Sequence, residues 1–412
     1  MSSAIRLRHL AQINPSTPAF DALQDDDELT FLPMEAVWPG SRLDLSQRRP
    51  KKAVSTGYTR FQNGDVLVPK ITPTFEAGRA VLIQGLHGGV GAGTTELHVV
   101  RPSKEIDPRF LLYTVNTHSF LKLGKAEMYG VAGQQRVPDN FLRDLLVPLP
   151  ALEEQRRIAD FLDTEIARID QLLALRERQH QLLISHRDAR VRAHFQSVDT
   201  SPTRLKFLLA ARPRYGVLVP KFEDNGVKFI RVNDLLDLPG RGEALITIAP
   251  EVSAQYPTTV VRAGDVLVSV VGTLGRAAVA PRSVAGANVN RAIAVLRPQP
   301  QVDRELLTAW INTAEFQEQA LLATGNDSAQ RTLGMEDMAN FHLHWPCSES
   351  DQRKLAFMVQ RSTEWSRELS DALKRQSTAL KERRQALITA AVTGQFDVTT
   401  ASGRNVTEGV AV

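Results

Sequence analysis

Gly64-Asp65-Val66-Leu67-Val68 recurs as Gly264-Asp265-Val266-Leu267-Val268, about 200 positions further along the chain. Outward from these two runs, the same signals return in the same order. Arg6-Leu7-Arg8 precedes the first run and Arg204-Leu205-Lys206 the second. Beyond them, at an offset of about 195 to 198, Arg101-Pro102 answers Arg297-Pro298 and Asn116-Thr117 answers Asn312-Thr313. Gln135-Arg136 likewise answers Gln330-Arg331. Each half closes in a long charged stretch, opened by Gln155-Arg156-Arg157-Ile158-Ala159 and by Gln352-Arg353-Lys354-Leu355-Ala356. Two copies of this length at a near-constant offset mark a duplicated domain and not a solenoid. Two similar binding surfaces on one chain suit a ligand that itself has two parts.

Composition sets the frame. A chain of 412 residues, 42% of them hydrophobic, is long enough for two or three domains with buried cores. The formal net charge is only +4, but its distribution is uneven. From Arg262 to Arg297 there are five arginines (Arg262, Arg276, Arg282, Arg291, Arg297) and one acid, Asp265. Local basicity of that kind suits a phosphate backbone, and equally an arginine-rich solvated face. Cys347 is the only cysteine, so an intramolecular disulfide and the usual cysteine-based zinc sites are excluded. Its expected role is that of a small, at least half-buried hydrophobe. The opening residues lack the apolar run of a signal peptide, and no stretch is apolar enough to span a bilayer. A cytoplasmic protein without membrane contact is the expectation.

Residues 1–150 read as a first mixed domain, in which short apolar runs such as Asp65–Val68 and Ala80–Ile83 are bounded by turn formers. A helix is expected over Pro108–Leu123, where Phe110, Leu111, Val115 and Leu121 recur near helical spacing. At Val147-Pro148-Leu149-Pro150 the texture changes, and a long helix is expected over 151–196 with Glu153 and Glu154 in its first turn. Ile158, Leu162, Ile166, Ile169 and Leu173 alternate by four and three, the seam of a coiled coil, which Arg176 and His180 interrupt before Leu183. At about 1.5 Å per residue this rod is roughly 60 Å long. A second mixed domain is expected over 197–346, a second rod over 347–396 and a flexible tail over 397–412. Leu355, Val359, Leu369, Leu373, Leu380, Leu387 and Ala390 continue the same spacing in the second rod, diluted by Ser362, Ser366, Gln376 and Arg383. The fold class is therefore α+β: two mixed α/β domains, each followed by a long helix. Two exposed stripes on one chain most simply bury each other as an antiparallel coiled coil; the other solution packs each rod on its own domain.

This pattern resembles the specificity subunits of type I restriction–modification systems. The likeness rests on Leu149-Pro150-Ala151-Leu152-Glu153-Glu154-Gln155-Arg156-Arg157-Ile158-Ala159 at the start of the first rod. The end of the second rod, Lys381-Glu382-Arg383-Arg384-Gln385-Ala386-Leu387-Ile388-Thr389-Ala390-Ala391-Val392-Thr393-Gly394, matches too, as do the GDVLV strands and Gly133-Gln134-Gln135-Arg136-Val137. The second rod's opening, from Trp345 to Leu355, departs further, and Ser328–Thr332 keeps only Gln-Arg. The resemblance runs from about residue 4 to 397 and implies a subunit without catalysis. Each mixed domain would be a target recognition domain for one half of a split double-stranded DNA sequence, with the helices setting the unread gap. Helices and flanks, including Glu154, Gln155, Arg156, Gln352 and Arg353, would dock two methyltransferase (modification) subunits, and restriction subunits carrying the motor-nuclease would join them. S-adenosylmethionine, ATP and Mg would sit on those partners, with no cofactor on this chain.

The motifs agree with a recognition role. There is no Gly-x-x-x-x-Gly-Lys-Ser/Thr loop, and the Asn/Asp-Pro-Pro-aromatic motif of adenine methyltransferases is absent. Gly85–Gly93 is rich in glycine but lacks the lysine, and reads as a flexible loop able to mould to DNA. His342 and His344 alternate on an expected strand without a third metal ligand. Candidate DNA contacts follow the GDVLV strands: Lys70, Thr72, Thr74 and Arg79 in the first half, and Ser269, Thr273 and Arg276 in the second. Asn288, Asn290 and Arg291, then Gln134, Gln135 and Arg136, then Gln330 and Arg331, add the side chains that pair with adenine and guanine edges. Most such contacts position the backbone without reading a base. A different class of protein fits the same outline: an interaction scaffold whose two heads hold protein partners. A steep salt dependence of duplex affinity separates the two, since counterion release belongs to nucleic acid. A free-standing nuclease or methyltransferase is a third class, which activity of the purified chain would reveal.

Overall fold

The computed structural model describes residues 4–38, 42–131, 133–242, 244–325 and 331–398. Gln330 and tail residues 399–412 lie outside them. The first half runs β1 (Ala4–Arg6), β2 (Ala11–Ile13), β3 (Glu28–Leu32), β4 (Arg48–Pro50), β5 (Thr59–Gln62), β6 (Val66–Pro69), β7 (Val81–Leu82), β8 (Val90–Gly93) and β9 (Leu97–Pro102). There follow α1 (Pro108–Thr114), α2 (His118–Ala126), β10 (Leu146–Pro148) and the long helix α3 (Leu152–Gln196). The second half runs β11 (Thr200–Arg204), β12 (Leu209–Tyr215), β13 (Phe222–Ile230), β14 (Thr247–Ile248), β15 (Val266–Ser269), β16 (Ala277–Val279), β17 (Asn288–Val289) and β18 (Ile293–Pro298). It ends with α4 (Arg304–Ile311), α5 (Ala314–Thr324), β19 (His342–Pro346) and a second long helix, α6 (Glu349–Val392).

The GDVLV runs hold the same place in both halves. In the first, β2-β9-β6-β7 form an antiparallel sheet with Val66 opposite Val100 and Leu67 opposite Val99. In the second, β12-β18-β15-β16 repeat it with Val266 opposite Leu296 and Leu267 opposite Val295. The glycine of each run takes a positive φ, +91° at Gly64 and +89° at Gly264, where a side chain would be strained. The following aspartate, almost fully buried, accepts the backbone N–H three residues back: Gln62 for Asp65 and Arg262 for Asp265, both at 2.8 Å. Each aspartate then takes a two-pronged ion pair, from Arg101 (2.7 and 2.9 Å) or from Arg297 (2.9 and 2.8 Å). The recurring Arg-Pro is thus the partner of the recurring Gly-Asp. A second sheet in each half contains one parallel pair, β3 with β8 and β13 with β17.

Three expectations change here. The segment Pro108–Leu123 is two helices, because Asn116 Nδ2 donates back to the Leu112 carbonyl and the Thr117 hydroxyl accepts from Phe120 N–H, which starts α2. Residues 90–93 of the glycine run are not a loop but β8, buried between β3 and β5. A Cβ on Gly91 would strike the Phe61 ring, so glycine there serves close packing. Cys347 is exposed, because it follows β19 at the edge of the domain.

The chain divides into two compact units, Met1–Glu177 with Lys374–Val412, and Arg178–Leu373. Both long helices cross this division, so each unit holds one globular domain and half of each helix. In the first, Ile158, Leu162, Ile166 and Ile169 of α3 join Leu387, Ile388, Ala391 and Val392 of α6 in a single core with Val66, Phe110, Leu111 and Phe120. In the second, Val191 of α3 meets Leu355 and Val359 of α6 around Val266, Leu306, Trp310 and Phe316. The stripes therefore cover each other and the domains at once. Their direction is antiparallel: Asp170 pairs with Arg384 at 3.2 Å in the first unit, while His180 meets Ser370 (2.8 Å) and His194 meets Ser362 (2.9 Å) in the second. Ser362, one of the residues that dilute the seam, thus faces His194, and Ser370 faces His180, so these polar layers satisfy one another. Among the described residues, no helix is long and apolar enough to cross a membrane.

Candidate nucleic-acid interface

The chain leaving each GDVLV strand is clamped by a later segment. Thr72 N–H donates to the Gln135 carbonyl at 3.0 Å and Val137 N–H to the Lys70 carbonyl at 2.9 Å, bringing Lys70, Thr72, Gln135 and Arg136 to one edge. In the second unit Gly272 N–H donates to Arg331 at 3.0 Å and Leu333 N–H to Val270 at 2.8 Å. This register makes Gln135 the counterpart of Arg331, and Arg136 that of Thr332. The Gln-Arg match between Gln135-Arg136 and Gln330-Arg331 is therefore one residue out of step. In extended backbone a one-residue slip turns every side chain to the other face.

The first-unit edge is charged and already partly paired. Arg136 grips Glu96 with two contacts, Nε to Oε2 at 2.9 Å and Nη2 to Oε1 at 2.8 Å. That hydrogen bonding holds the arginine above its ordinary pKa and Glu96 below the usual carboxylate range. Lys70 donates to the Thr95 carbonyl at 2.9 Å, and burial lowers its pKa against the pull of Glu96 and Asp139. Glu96, which orients Arg136, escaped notice in the sequence because nothing in its local pattern announces a partner forty residues away. Thr72 presents a buried hydroxyl without a hydrogen-bond partner among the described residues. Half-buried Arg79 points Nη1 at the Val37 carbonyl (3.4 Å), and its Nε has no partner among the described residues. Gln134 is exposed and Gln135 half-buried.

In the second unit, Thr273 and Arg291 are exposed, and Arg276, Asn290 and Arg331 half-buried. Asn290 Oδ1 accepts from Ala292 N–H at 2.8 Å and shapes the turn that presents Arg291. The pair Arg297–Asp265 uses up the only acid between Arg262 and Arg297, so four arginines of that stretch keep no acid within it.

Several candidates are removed from any direct contact. Asn288 is fully buried and its amide is spent on Thr259, Ser253 and Tyr256. Thr74 is buried, its hydroxyl donating to the Ile71 carbonyl at 2.7 Å. Ser269 is buried too and accepts from Arg276 N–H at 2.9 Å, closing the turn before that arginine. Of the residues expected to face partner subunits, Gln155 and Gln352 point inward. Gln155 Oε1 accepts Asp107 N–H at 2.8 Å and Gln352 Oε1 accepts Asp303 N–H at 2.9 Å. Glu154, ion-paired with Arg157, is half-buried, while Arg156 and Arg353 are exposed at the helix starts.

Comparison with known proteins follows the same lines. Residues 57–179 match the model of the type I restriction modification DNA specificity domain. The chain is 39% identical over 198 residues to the type I restriction enzyme EcoAI specificity subunit of Escherichia coli, a match covering 47% of this chain and 31% of that protein. With the EcoEI specificity subunit of Escherichia coli it shares 40% over 172 residues, 41% of this chain and 28% of the relative. The chain thus spans about a third of the length of these two relatives. A solved structure described under the complex assembly and conformational transition of the type I R-M system shares the fold, with a TM-score of 0.70 at 19% identity over 95% of this chain and 98% of that one. With its duplicated fold, its paired long helices and the matched specificity domain across the first GDVLV run, the chain is similar to type I restriction–modification specificity subunits.

Proposed function

We propose that this chain is the non-catalytic, sequence-specific DNA-binding subunit of a type I restriction–modification complex, reading a bipartite duplex target. The observation that supports this most is a contrast within the duplication. The internal locks recur: Asp65–Arg101 with Asp265–Arg297, and Gln155–Asp107 with Gln352–Asp303. The clamped edge does not recur, for Lys70, Thr72, Gln135 and Arg136 stand where the second unit has Val270, Gly272, Arg331 and Thr332. One scaffold carrying two different polar edges suits two different half-sites. Gln134, Gln135, Thr273, Arg276, Asn290, Arg291 and Arg331 are the side chains we assign to base edges and nearby phosphates. The antiparallel helices would set the unread gap and, with Arg156 and Arg353, dock two methyltransferase subunits, to which restriction subunits add. S-adenosylmethionine, ATP and Mg would belong to those partners, in the cytoplasm.

Adenine methylation, mapped across a genome expressing this chain with its modification subunits and compared with a strain lacking it, tests the reading. A split motif with a fixed gap, methylated only when the chain is present, is expected. Arg291→Ala should relax the second half-site and Gln135→Ala the first, each leaving the other intact. An active, assembled complex without chain-dependent methylation would rule the reading out.

A further inference from the structure

The duplication supplies an internal control for surface charge. In the first unit Arg6 and Arg8 both meet Asp144, Arg6 at 3.7 Å and Arg8 in direct hydrogen-bond contact. Strand pairing fixes the counterparts: Arg6 lies opposite Leu146 and Arg204 opposite His342. Two residues before those partners stand Asp144 and Asn340. In the second unit Lys206 Nζ accordingly reaches Asn340 Oδ1 at 2.8 Å and Arg204 the same oxygen at 3.5 Å. The position that neutralises two cations in one unit is neutral in the other.

The second unit also adds cations. β12 has seven residues where β2 has three, and its extension carries Arg212 and Arg214. Both are exposed, and among the described residues neither has an acid or other hydrogen-bonding partner at its guanidinium. Two residues apart on a strand, they sit about 7 Å from each other along the chain direction. They line a groove of about 600 Å³ together with Lys206, Phe207 and Asn340, and among the described residues Glu336 is the one acid lining it. Three cations lining one groove against one carboxylate leave a local positive field, to which Arg204 adds through its contact with Asn340.

We propose that this groove holds the phosphodiester backbone of duplex DNA and anchors the second recognition unit, with no equivalent anchor in the first. Arg212, Arg214 and Lys206 contact phosphates, and Arg204 adds to the field. Phe207, 63% exposed with the Lys206 ammonium 5.3 Å from its ring centre, offers an apolar face to the sugars. Such contacts set affinity and orientation and carry no base information. The inference rests on the DNA-binding reading above and adds an asymmetry to it: the two half-sites are gripped unequally.

The test uses the full chain assembled with its modification subunits, and fluorescence anisotropy with two duplexes, one carrying the mapped target and one scrambled. Arg212→Gln/Arg214→Gln should lower the slope of log affinity against log salt by about two, since each phosphate contact contributes about 0.9. Asn340→Asp, which installs the first unit's carboxylate, should lower it by about one. Both variants should weaken target and scrambled duplexes by the same factor and leave the methylated motif unchanged. Inorganic phosphate at matched ionic strength should not compete, whereas an unrelated duplex should. If the wild type binds with a steep salt slope and the folded variants keep it, the groove is not the anchor. A change in target preference in either variant would also overturn the proposal, because it would make these residues readers. A wild-type complex without salt-dependent duplex binding would overturn the DNA reading itself, and the groove with it.

Discussion

At the scale of single residues, the repeated aspartate carries more than its place in the GDVLV run suggests. Asp65 and Asp265 are buried to within 1% and 3% side-chain exposure, and each neutralises an arginine that is itself mostly covered. Removing one member of such a pair leaves an uncompensated charge and costs about 3–5 kcal/mol. Asp65→Asn and Asp265→Asn should therefore destabilise their own units by that order, read from urea midpoints; a loss of less than about 1 kcal/mol would contradict the assignment. His98 makes a second prediction. It is 3% exposed, within 3.2 Å of Asn14 Nδ2 and 3.0 Å of the Val137 carbonyl, and burial pushes its pKa down to about 4. Above about pH 6.5 the ring is neutral both folded and unfolded, so it contributes no pH dependence. Below that, the unfolded chain takes up a proton that the folded ring refuses until about pH 4. Stability is thus lost as the pH falls across this window, by about 3 kcal/mol for a shift of this size. Urea unfolding of wild type and His98→Gln at pH 7 and pH 4.5 isolates the effect: the variant should lose less stability on acidification. Equal losses would remove His98 as the cause.

At the scale of elements, the short helices are docked to the long ones by one repeated device. Asp107 and Asp303 cap α1 and α4 with their carboxylates, while their own N–H groups are taken by Gln155 and Gln352. Gln155→Ala and Gln352→Ala should each strand a backbone donor and destabilise the matching unit by about 1–3 kcal/mol, read from urea midpoints. A change in assembly with partner subunits at unaltered stability would instead restore their outward role. The inward direction was legible. Gln155 precedes Ile158 by three and Leu162 by seven, and Gln352 precedes Leu355 and Val359 likewise, so both lie on the buried stripe. What misled was chemistry, because a glutamine beside arginines reads as surface. The strands were legible from Gly-Asp followed by an apolar run, and the seam from its three–four spacing. The break between α1 and α2 was signalled by Asn116-Thr117, a C-terminal stop beside an N-cap, which apolar periodicity alone conceals. The register of the clamped edge was not legible at all: pairing of residue 72 with 135, and of 272 with 331, is decided by long-range contacts, and a one-residue error in matching the halves leaves no local trace.

At the scale of the whole molecule, duplication made the architecture readable, while a longer strand and a shifted register made the polar edges unreadable. The repeat predicts two similar units and a shared helical pair, because conserved spacing of apolar stripes and caps survives in both copies. It says nothing about Asp144 becoming Asn340, or about the longer β12, since those are single differences whose meaning appears only when strand pairing aligns them. The proposed role of the helices can be put to a direct test. α3 and α6 each pass without a break through the division between the units, at Glu177–Arg178 and Leu373–Lys374. Inserting four residues in each helix at those points adds about 6 Å of rise and turns the helix face by only about 40°, so the seam is nearly kept. If the helices set the distance between two reading heads, the methylated motif should keep both half-sites and gain one or two base pairs of unread gap, at about 3.4 Å each. Circular dichroism and assembly with the modification subunits establish that the variant is folded. A motif with an unchanged gap, methylated as before by that folded variant, would show that the spacing is set elsewhere. Loss of one half-site with the gap intact would mean that the helices orient a head without measuring the distance.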